Sequence, residues 1–574
     1  MSDSGPLVEV DQLTFRYRRA TEPAIRDVSL TIAPGEVLLV AGPSGCGKST
    51  LIRAINGLIP HAYPGDLEGS VRLAGRPTTE LKLRDIALSV GTVLQDPAKQ
   101  IVGATVEAEL AFGPENLGVP RAEIRDLIGR VAEQAAIEPL LGRETAALSG
   151  GERQLLAMAG ILMMRPRLYV VDEPLANLDP RSADRLLAIL RGLADRGNAV
   201  VIVEHRVEEA LQLRPDAVLY LDGGATRYLG PVEGFLEVAD PRAVKLPFDV
   251  VLARATSGGL EGPPGGALDD GSPSGSAEAP IPAFGDGPPR LAFEAVDASI
   301  GDHRILHGVT ASLGRREVVA ILGPNGSGKT TAFRTAMQLL PLTAGRILVD
   351  GTDAKGRGTA DLATVFGYVF QSPSQMLFAR TVRDELAFGP TNLKRDPARL
   401  DNLIAECLRR TALEGLEGIL ERPPLSLSFG QQKRLALAIA LALEPATLIL
   451  DEPSAGQDHR TAEAFMREVL AIPGLESVYF ITHDVDLALT HADRILLFRD
   501  GRIVADGPPK EVIVDEARWR ACNLTPTSLM QANARWGGRD DRFLDAESLA
   551  LRIVGSGQTA PAGREGGSAS ALLD

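Results

Sequence analysis

The nine residues GPSGCGKST at 42–50 return as GPNGSGKTT at 323–331, and the recurrence extends along the chain. LSGGERQLLAMA at 148–159 returns as LSFGQQKRLALA at 427–438, LYVVDEPLANLD at 168–179 as LILDEPSAGQD at 448–458, and VIVEH at 201–205 as YFITH at 479–483. FGPENLG at 112–118 reappears as FGPTNLK at 388–394, where proline and glycine predict the stop of one helix and the angle of the next. Spacing is kept as well as order. Ser149 to Glu173 and Ser428 to Glu452 are each 24 residues, and Gln95 to Phe112 and Gln371 to Phe388 are each 17. Repetition of this kind marks two copies of one domain. At 574 residues the chain is also too long for a single core.

The expected division is a first domain over 1–255, a linker over 256–290, a second domain over 291–515 and an extension over 516–574. The linker stretch SGGLEGPPGGALDDGSPSGSAEAPIPAFGDGPP is rich in Gly, Pro, Ser and acidic residues. Such a composition buries too little apolar surface to fold, which predicts a flexible tether. The same argument predicts disorder from about Gly555 onward. Within each copy, short apolar runs end in turns: EVLLVAG, LYVVDE, AVVIVEH and VLYLDGG, then VVAILG, LILDE, VYFITH and ILLFRDG. Alternating with helical stretches, they predict an α/β fold with a largely parallel, buried sheet. A helix-rich insertion is expected over about 100–150 and 376–428.

A net charge of −15 argues against a sequence-independent grip on nucleic acid, which needs clustered Lys and Arg. The three cysteines, Cys46, Cys407 and Cys522, are far apart, so neither a zinc knuckle nor a disulfide framework is expected. MSDSGPLVEVDQ has no basic or apolar leader, so no signal peptide is expected. LALAIALAL at 435–443 is too short to span a bilayer and reads as a buried helix. Any membrane role is expected to run through a partner.

Two segments fit the G-x-x-x-x-G-K-[ST] phosphate loop. The first comprises Gly42, Pro43, Ser44, Gly45, Cys46, Gly47, Lys48, Ser49 and Thr50; the second comprises Gly323, Pro324, Asn325, Gly326, Ser327, Gly328, Lys329, Thr330 and Thr331. The glycines let backbone N–H groups converge on phosphate oxygens, and the helix beginning near each lysine points its positive end there. Lys48 and Lys329 would reach the β- and γ-phosphates of ATP, and Ser49 and Thr330 would hold Mg²⁺. Asp172-Glu173 and Asp451-Glu452 end apolar runs at the strand C-termini, where open α/β sheets bind ligands. The aspartates suit Mg²⁺ binding through water, and the glutamates suit a base that polarises an attacking water. Alone, each pair would read as two solvated acids. His205 and His483 are placed for a γ-phosphate contact. Gln95 and Gln371 are placed to order Mg²⁺ or the attacking water, or simply to end a strand.

Taken together, these segments resemble the ATP-binding cassette (ABC) ATPases over about 8–240 and 290–515. LSGGE and LSFGQ match that family's signature motif, and ANLD and AGQD match its D-loop. The resemblance implies two P-loop NTPase cassettes sandwiching ATP, with Lys48 working with Ser149's counterpart Ser428, and Lys329 with Ser149. Gly150, Gly151, Phe429 and Gly430 complete the signature segments. Because one chain carries both cassettes, a homodimer is not required. Tyr17 lies where the family stacks an aromatic on adenine, whereas the second copy offers Ser299 or Ile300. Phe429 replaces the glycine found at Gly150, Gln457 and His459 flank the second D-loop aspartate, and Cys46 reads as a spacer.

The linker is short and acidic, unlike the charged helical linker expected of ribosome-associated tandem cassettes, and the zinc motifs of DNA-repair relatives are absent. An importer motor is therefore expected. VLQDPAKQIVGATVEAELAFGPENLG and VFQSPSQMLFARTVRDELAFGPTNLK resemble the segment after the glutamine in energy-coupling factor (ECF) transporter ATPases. That likeness implies a transmembrane coupling subunit, a separate membrane substrate-binding protein, and uptake of a vitamin, a vitamin precursor or a metal ion. The chain would then work at the cytoplasmic face of the membrane. A sugar-type tandem importer ATPase and a soluble non-transport ABC ATPase are the alternatives.

Overall fold

A computed structural model describes residues 5–18, 20–176, 178–259, 287–301, 303–513, 516–537 and 543–556. Most of the expected linker, 260–286, and the end of the chain from 557 lie outside the described residues. The chain divides into two units, one built mainly on Met1–Val251 and the other on Leu252–Ala455 and Ala462–Gln558.

Each unit contains a six-stranded sheet of one topology. In the first, the strand order is Ala225–Gly230, Ala217–Asp222, Val37–Ala41, Ala199–Val203, Leu168–Asp172, Val90–Val93. All pairs are parallel except the antiparallel edge strand Ala225–Gly230. The second unit matches it with Arg502–Gly507, Arg494–Arg499, Val318–Leu322, Ser477–Ile481, Thr447–Asp451 and Phe366–Val369. The apolar runs are continuous because both faces of this sheet are covered. In Val318–Leu322, Val319 and Ile321 pack into one core while Ala320 and Leu322 pack into another. In Ser477–Ile481 the same split separates Tyr479 and Ile481 from Val478 and Phe480. Alternate side chains point to opposite faces, so a strand buried on both sides must be apolar throughout.

A second sheet, antiparallel and four-stranded, covers one face in each unit. Its order is Ile25–Ile32, Val8–Tyr17, Gly65–Leu73, Arg76–Pro77 in the first and His303–Leu313, Leu291–Ile300, Leu342–Val349, Thr352–Asp353 in the second. Its other face meets solvent, so apolar residues alternate with polar ones, as in the Ile25–Ile32 strand IRDVSLTI, where Ile25, Val28, Leu30 and Ile32 are buried.

The expected helical insertion comprises Val106–Asn116 and Arg121–Ala135 in the first unit, and Val382–Asn392 and Pro397–Arg410 in the second. One expectation fails here. The Gly-Pro of FGPENLG and FGPTNLK was expected to stop a helix, but Pro114 and Pro390 lie inside Val106–Asn116 and Val382–Asn392. Each proline removes one backbone donor, and each helix ends two residues later, so only the last turn bears the loss. Asn116 Nδ2 compensates at that end by donating to Phe112 O at 2.8 Å. The stretch LALAIALAL falls largely within the buried helix Phe429–Leu441. Among the described residues no helix is long and apolar enough to cross a membrane.

The helices Ser528–Trp536 and Ala546–Gly555 follow the second copy of the motifs. Trp519, Cys522, Leu524, Met530 and Phe543 share one core with Phe480, Leu450 and the helix Phe429–Leu441. Trp519 is fully buried and its Nε1 donates to Val512 O at 2.8 Å. Trp519→Ala should therefore cost about 3–5 kcal/mol, read as a lowered unfolding midpoint in calorimetry. An unchanged midpoint would show that this segment adds nothing to the core.

Candidate functional site

Both phosphate loops join the C-terminal end of a central strand to a helix. Val37–Ala41 leads to Lys48–Ile55, and Val318–Leu322 leads to Lys329–Ala336. The loop leaves the strand through Gly42 (φ 149°) and Gly323 (φ 144°). A Cβ at either position would overlap a backbone carbonyl of the neighbouring strand, that of Leu221 or Phe498. Lys48 Nζ then curls back to donate to Gly42 O at 2.7 Å and Pro43 O at 2.9 Å. Lys329 Nζ does the same to Gly323 O and Pro324 O at 2.7 and 2.9 Å. Both lysines are buried, so each loop holds a desolvated ammonium beside the N-terminus of its own helix. Cys46 Sγ lies 3.9 Å from Lys48 Nζ, and burial pushes its thiol up.

The following Ser49 and Thr330 turn toward the strand-end aspartates. Ser49 Oγ lies 3.3 Å from Asp172 Oδ2, and Thr330 Oγ1 lies 3.1 Å from Asp451 Oδ1. The two aspartates differ in their remaining oxygen. Among the described residues, buried Asp172 Oδ1 has no hydrogen-bond partner, whereas Asp451 Oδ2 accepts from the Tyr368 hydroxyl at 2.9 Å. Buried Ser327 Oγ in the second loop likewise has none among the described residues. Buried polar atoms are nearly always satisfied, so these orphans fit a site completed by a ligand. A carboxylate oxygen beside a hydroxyl suits a hard cation such as Mg²⁺.

Glu173 and Glu452 both adopt left-handed backbone conformations, with φ 47° and 54°. That conformation is uncommon for residues other than glycine and collects at functional sites. The carboxylates are held by different groups. Glu173 Oε2 accepts from Gln95 Nε2 at 2.6 Å, with His205 Nδ1 3.8 Å from its other oxygen. Glu452 Oε2 lies 2.8 Å from His483 Nδ1 and accepts from the His483 backbone N–H at 3.3 Å. Burial and the charge of Asp172 push Glu173 up to about 7. Burial also raises Glu452, but the charge and hydrogen bonds of His483 outweigh it and hold its carboxyl below the usual range. Burial, with Lys48 and Arg206, draws His205 down to about 4. Gln371 lies two residues beyond the strand Phe366–Val369.

The signature serines begin helices. Ser149 caps Gly150–Met164 and Ser428 caps Phe429–Leu441, each in a capping box, with Glu152 and Gln431 as reciprocal partners. Gly150 and Gly151 lie in the first turn of one helix, and Phe429 and Gly430 in the first turn of the other. Phe429 is exposed.

Several neighbours were not foreseen. Tyr17 OH lies 3.2 Å from Thr50 Oγ1 and accepts from Arg53 Nη1 at 2.7 Å, while the Arg53 guanidinium sits 4.6 Å over the Tyr63 ring. Tyr63 belongs to no repeated segment, although Arg53 recurs as Arg334, five residues after the loop lysine in each copy. At the second copy's candidate positions, Ile300 is exposed and no aromatic stands there. Tyr368, the partner of Asp451, has a threonine, Thr92, at the same distance before the other glutamine.

The family described as ABC transporter matches residues 25–176 and 306–455. An ABC transporter ATP-binding protein, so named, from Methanosarcina acetivorans is 34% identical over 555 residues, covering 91% of this chain and 89% of its own. One of the same name from Enterococcus faecalis is 33% identical over 543 residues, covering 91% and 94%. A solved structure of cbiO1 from Clostridium perfringens, described as part of the ABC transporter complex cbiONQ, is 33% identical, with a TM-score of 0.36, and covers 41% of this chain and 95% of that one. Each family match spans one phosphate loop and its Asp-Glu pair, and the relatives align across nearly the whole chain; it belongs to the ABC transporter family, as an ATP-binding and ATP-hydrolysing protein with two P-loop cassettes.

Proposed function

We propose that this ATPase drives an importer of the ECF type, coupling ATP binding and hydrolysis at two composite sites to uptake of a vitamin, a vitamin precursor or a metal ion. Its partners would be a transmembrane coupling subunit and a separate membrane substrate-binding protein, met at the cytoplasmic face. The observation that carries this reading is the repeated aromatic next to Gly-Pro. Phe112 and Phe388 are 52% and 51% exposed, each on a helix that follows the site glutamine. Phe378 packs edge-on to Phe388 at 4.8 Å and is exposed too, as is Val102 ten residues before Phe112. An exposed apolar pair at one position in both copies suits a two-sided membrane partner.

In the proposed chemistry, Lys48 and Lys329 hold the β- and γ-phosphates, with the loop N–H groups on their oxygens. Ser49, Asp172 and Gln95 would hold Mg²⁺ in one site, and Thr330, Asp451 and Gln371 in the other. Bound there, Mg²⁺ supplies positive charge against the phosphate oxygens. Glu173 and Glu452 accept a proton from the attacking water, while His205 and His483 orient toward the γ-phosphate.

Glu173→Gln with Glu452→Gln should retain ATP binding and lower turnover about 100-fold or more. Parental turnover would remove the assigned bases. Phe112→Ala with Phe388→Ala should remove two anchors worth about 2 kcal/mol each. The expected result is loss of membrane partners on co-purification, with the ATPase activity of the isolated chain unchanged. Intact assembly and uptake would refute the docking role.

A further inference from the structure

The loop that follows the catalytic glutamate is held differently in the two cassettes. In the second, Lys433 lies on the helix Phe429–Leu441, which Ser428 caps, and is 5% exposed. Its Nζ donates to Pro453 O at 2.8 Å and Ala455 O at 2.5 Å, and lies 3.5 Å from Glu452 O. One side-chain nitrogen thus gathers three carbonyls of the segment that carries Glu452. The Phe429 ring lies 5.5 Å from the same nitrogen.

The first cassette has Gln154 at this place in its signature segment. Gln154 is 1% exposed, and neither amide atom finds a hydrogen-bond partner among the described residues. The corresponding loop is held instead from the histidine side. Leu175 N donates to Glu204 Oε1 at 2.9 Å, and Arg206 Nη1 donates to Leu175 O at 3.1 Å. The second cassette has Thr482 and Asp484 in those places, and Thr482 Oγ1 accepts from Asp484 N at 3.0 Å.

We propose that Lys433 is a positioning residue that ties the seating of the Ser428 helix to the placement of Glu452, a link that the described residues of the first cassette do not make. A single amino group reaching three carbonyls fixes the path of a backbone whose glutamate already sits in a left-handed conformation. A shift of the helix start therefore moves the carboxylate. The inference rests on the proposed role of Glu452 as the base.

The test compares Lys433→Gln, Lys433→Met and Lys433→Arg with Gln154→Leu in the full chain carrying Glu173→Gln, so that turnover reports the Glu452 site, measuring kcat, KM and the unfolding midpoint. Lys433→Gln should lower kcat about tenfold with KM within about twofold, since misplacing a reacting group costs rate more than binding. Lys433→Arg, which keeps charged donors, should recover most of that loss, and Gln154→Leu should leave kcat within about twofold. If Lys433→Gln does not fold, Lys433→Met decides by the same criterion. An unchanged kcat, an equal loss in Gln154→Leu, or no recovery in Lys433→Arg would overturn the proposal. Glu452→Gln measured alongside separates the two ideas. If it leaves kcat untouched, Glu452 is not the base and the inference falls with it; if it stops turnover while Lys433→Gln does nothing, only the Lys433 link fails.

Discussion

A buried lysine ammonium that bonds the carbonyls of its own loop sets the terms for the rest of each cassette. Lys48 and Lys329 reach two carbonyls apiece at the same distances in both copies. The ammonium and the N-terminus of the helix behind it put positive charge at one point, which suits phosphate oxygens. The loop must leave a strand, turn through glycine and enter a helix within a few residues. That path needs a central parallel strand, and a central parallel strand needs cover on both faces. The antiparallel sheet and the helical layer supply that cover, and the strand ends deliver Asp172-Glu173 and Asp451-Glu452 to the same edge.

Much of the core fold was legible because its signals are short and local. A run such as LYVVDE carries its strand, its burial and its terminal carboxylates in six residues. The antiparallel sheets were not foreseen, for two reasons. Val8–Tyr17 alternates polar and apolar residues, and register shifts such as that between Asp11 and Thr14 interrupt the alternation. The helix through Pro114 was misread because a local rule for proline ignored how near the helix end it lies. The extension was hard to place because a few residues, Trp519 and Phe543 among them, join a core built from distant sequence.

Side chains that meet across the fold were the least legible part of the site. Ser49 and Asp172 could be paired because each belongs to a motif of known chemistry. Tyr63 and Tyr368 belong to none, Glu204 and Lys433 sit inside repeated segments without an assigned role, and the partners of all four come together only through topology. These are also the places where the copies diverge. Asp451 has a tyrosine where Asp172 has an empty acceptor, and Glu452 has a close histidine where Glu173 has a glutamine. The phosphate loops are alike in the two copies while the groups around each carboxylate differ, so the two sites differ in their electrostatics.

The central claim is that one chain carries two nucleotide sites, each completed by phosphate and Mg²⁺. Calorimetric titration of the purified chain with a non-hydrolysable ATP analogue and Mg²⁺ measures this directly. The account predicts two bound nucleotides per chain, with unequal affinities and the binding lost when both Lys48 and Lys329 are replaced by alanine. Saturation at one nucleotide per chain would contradict it.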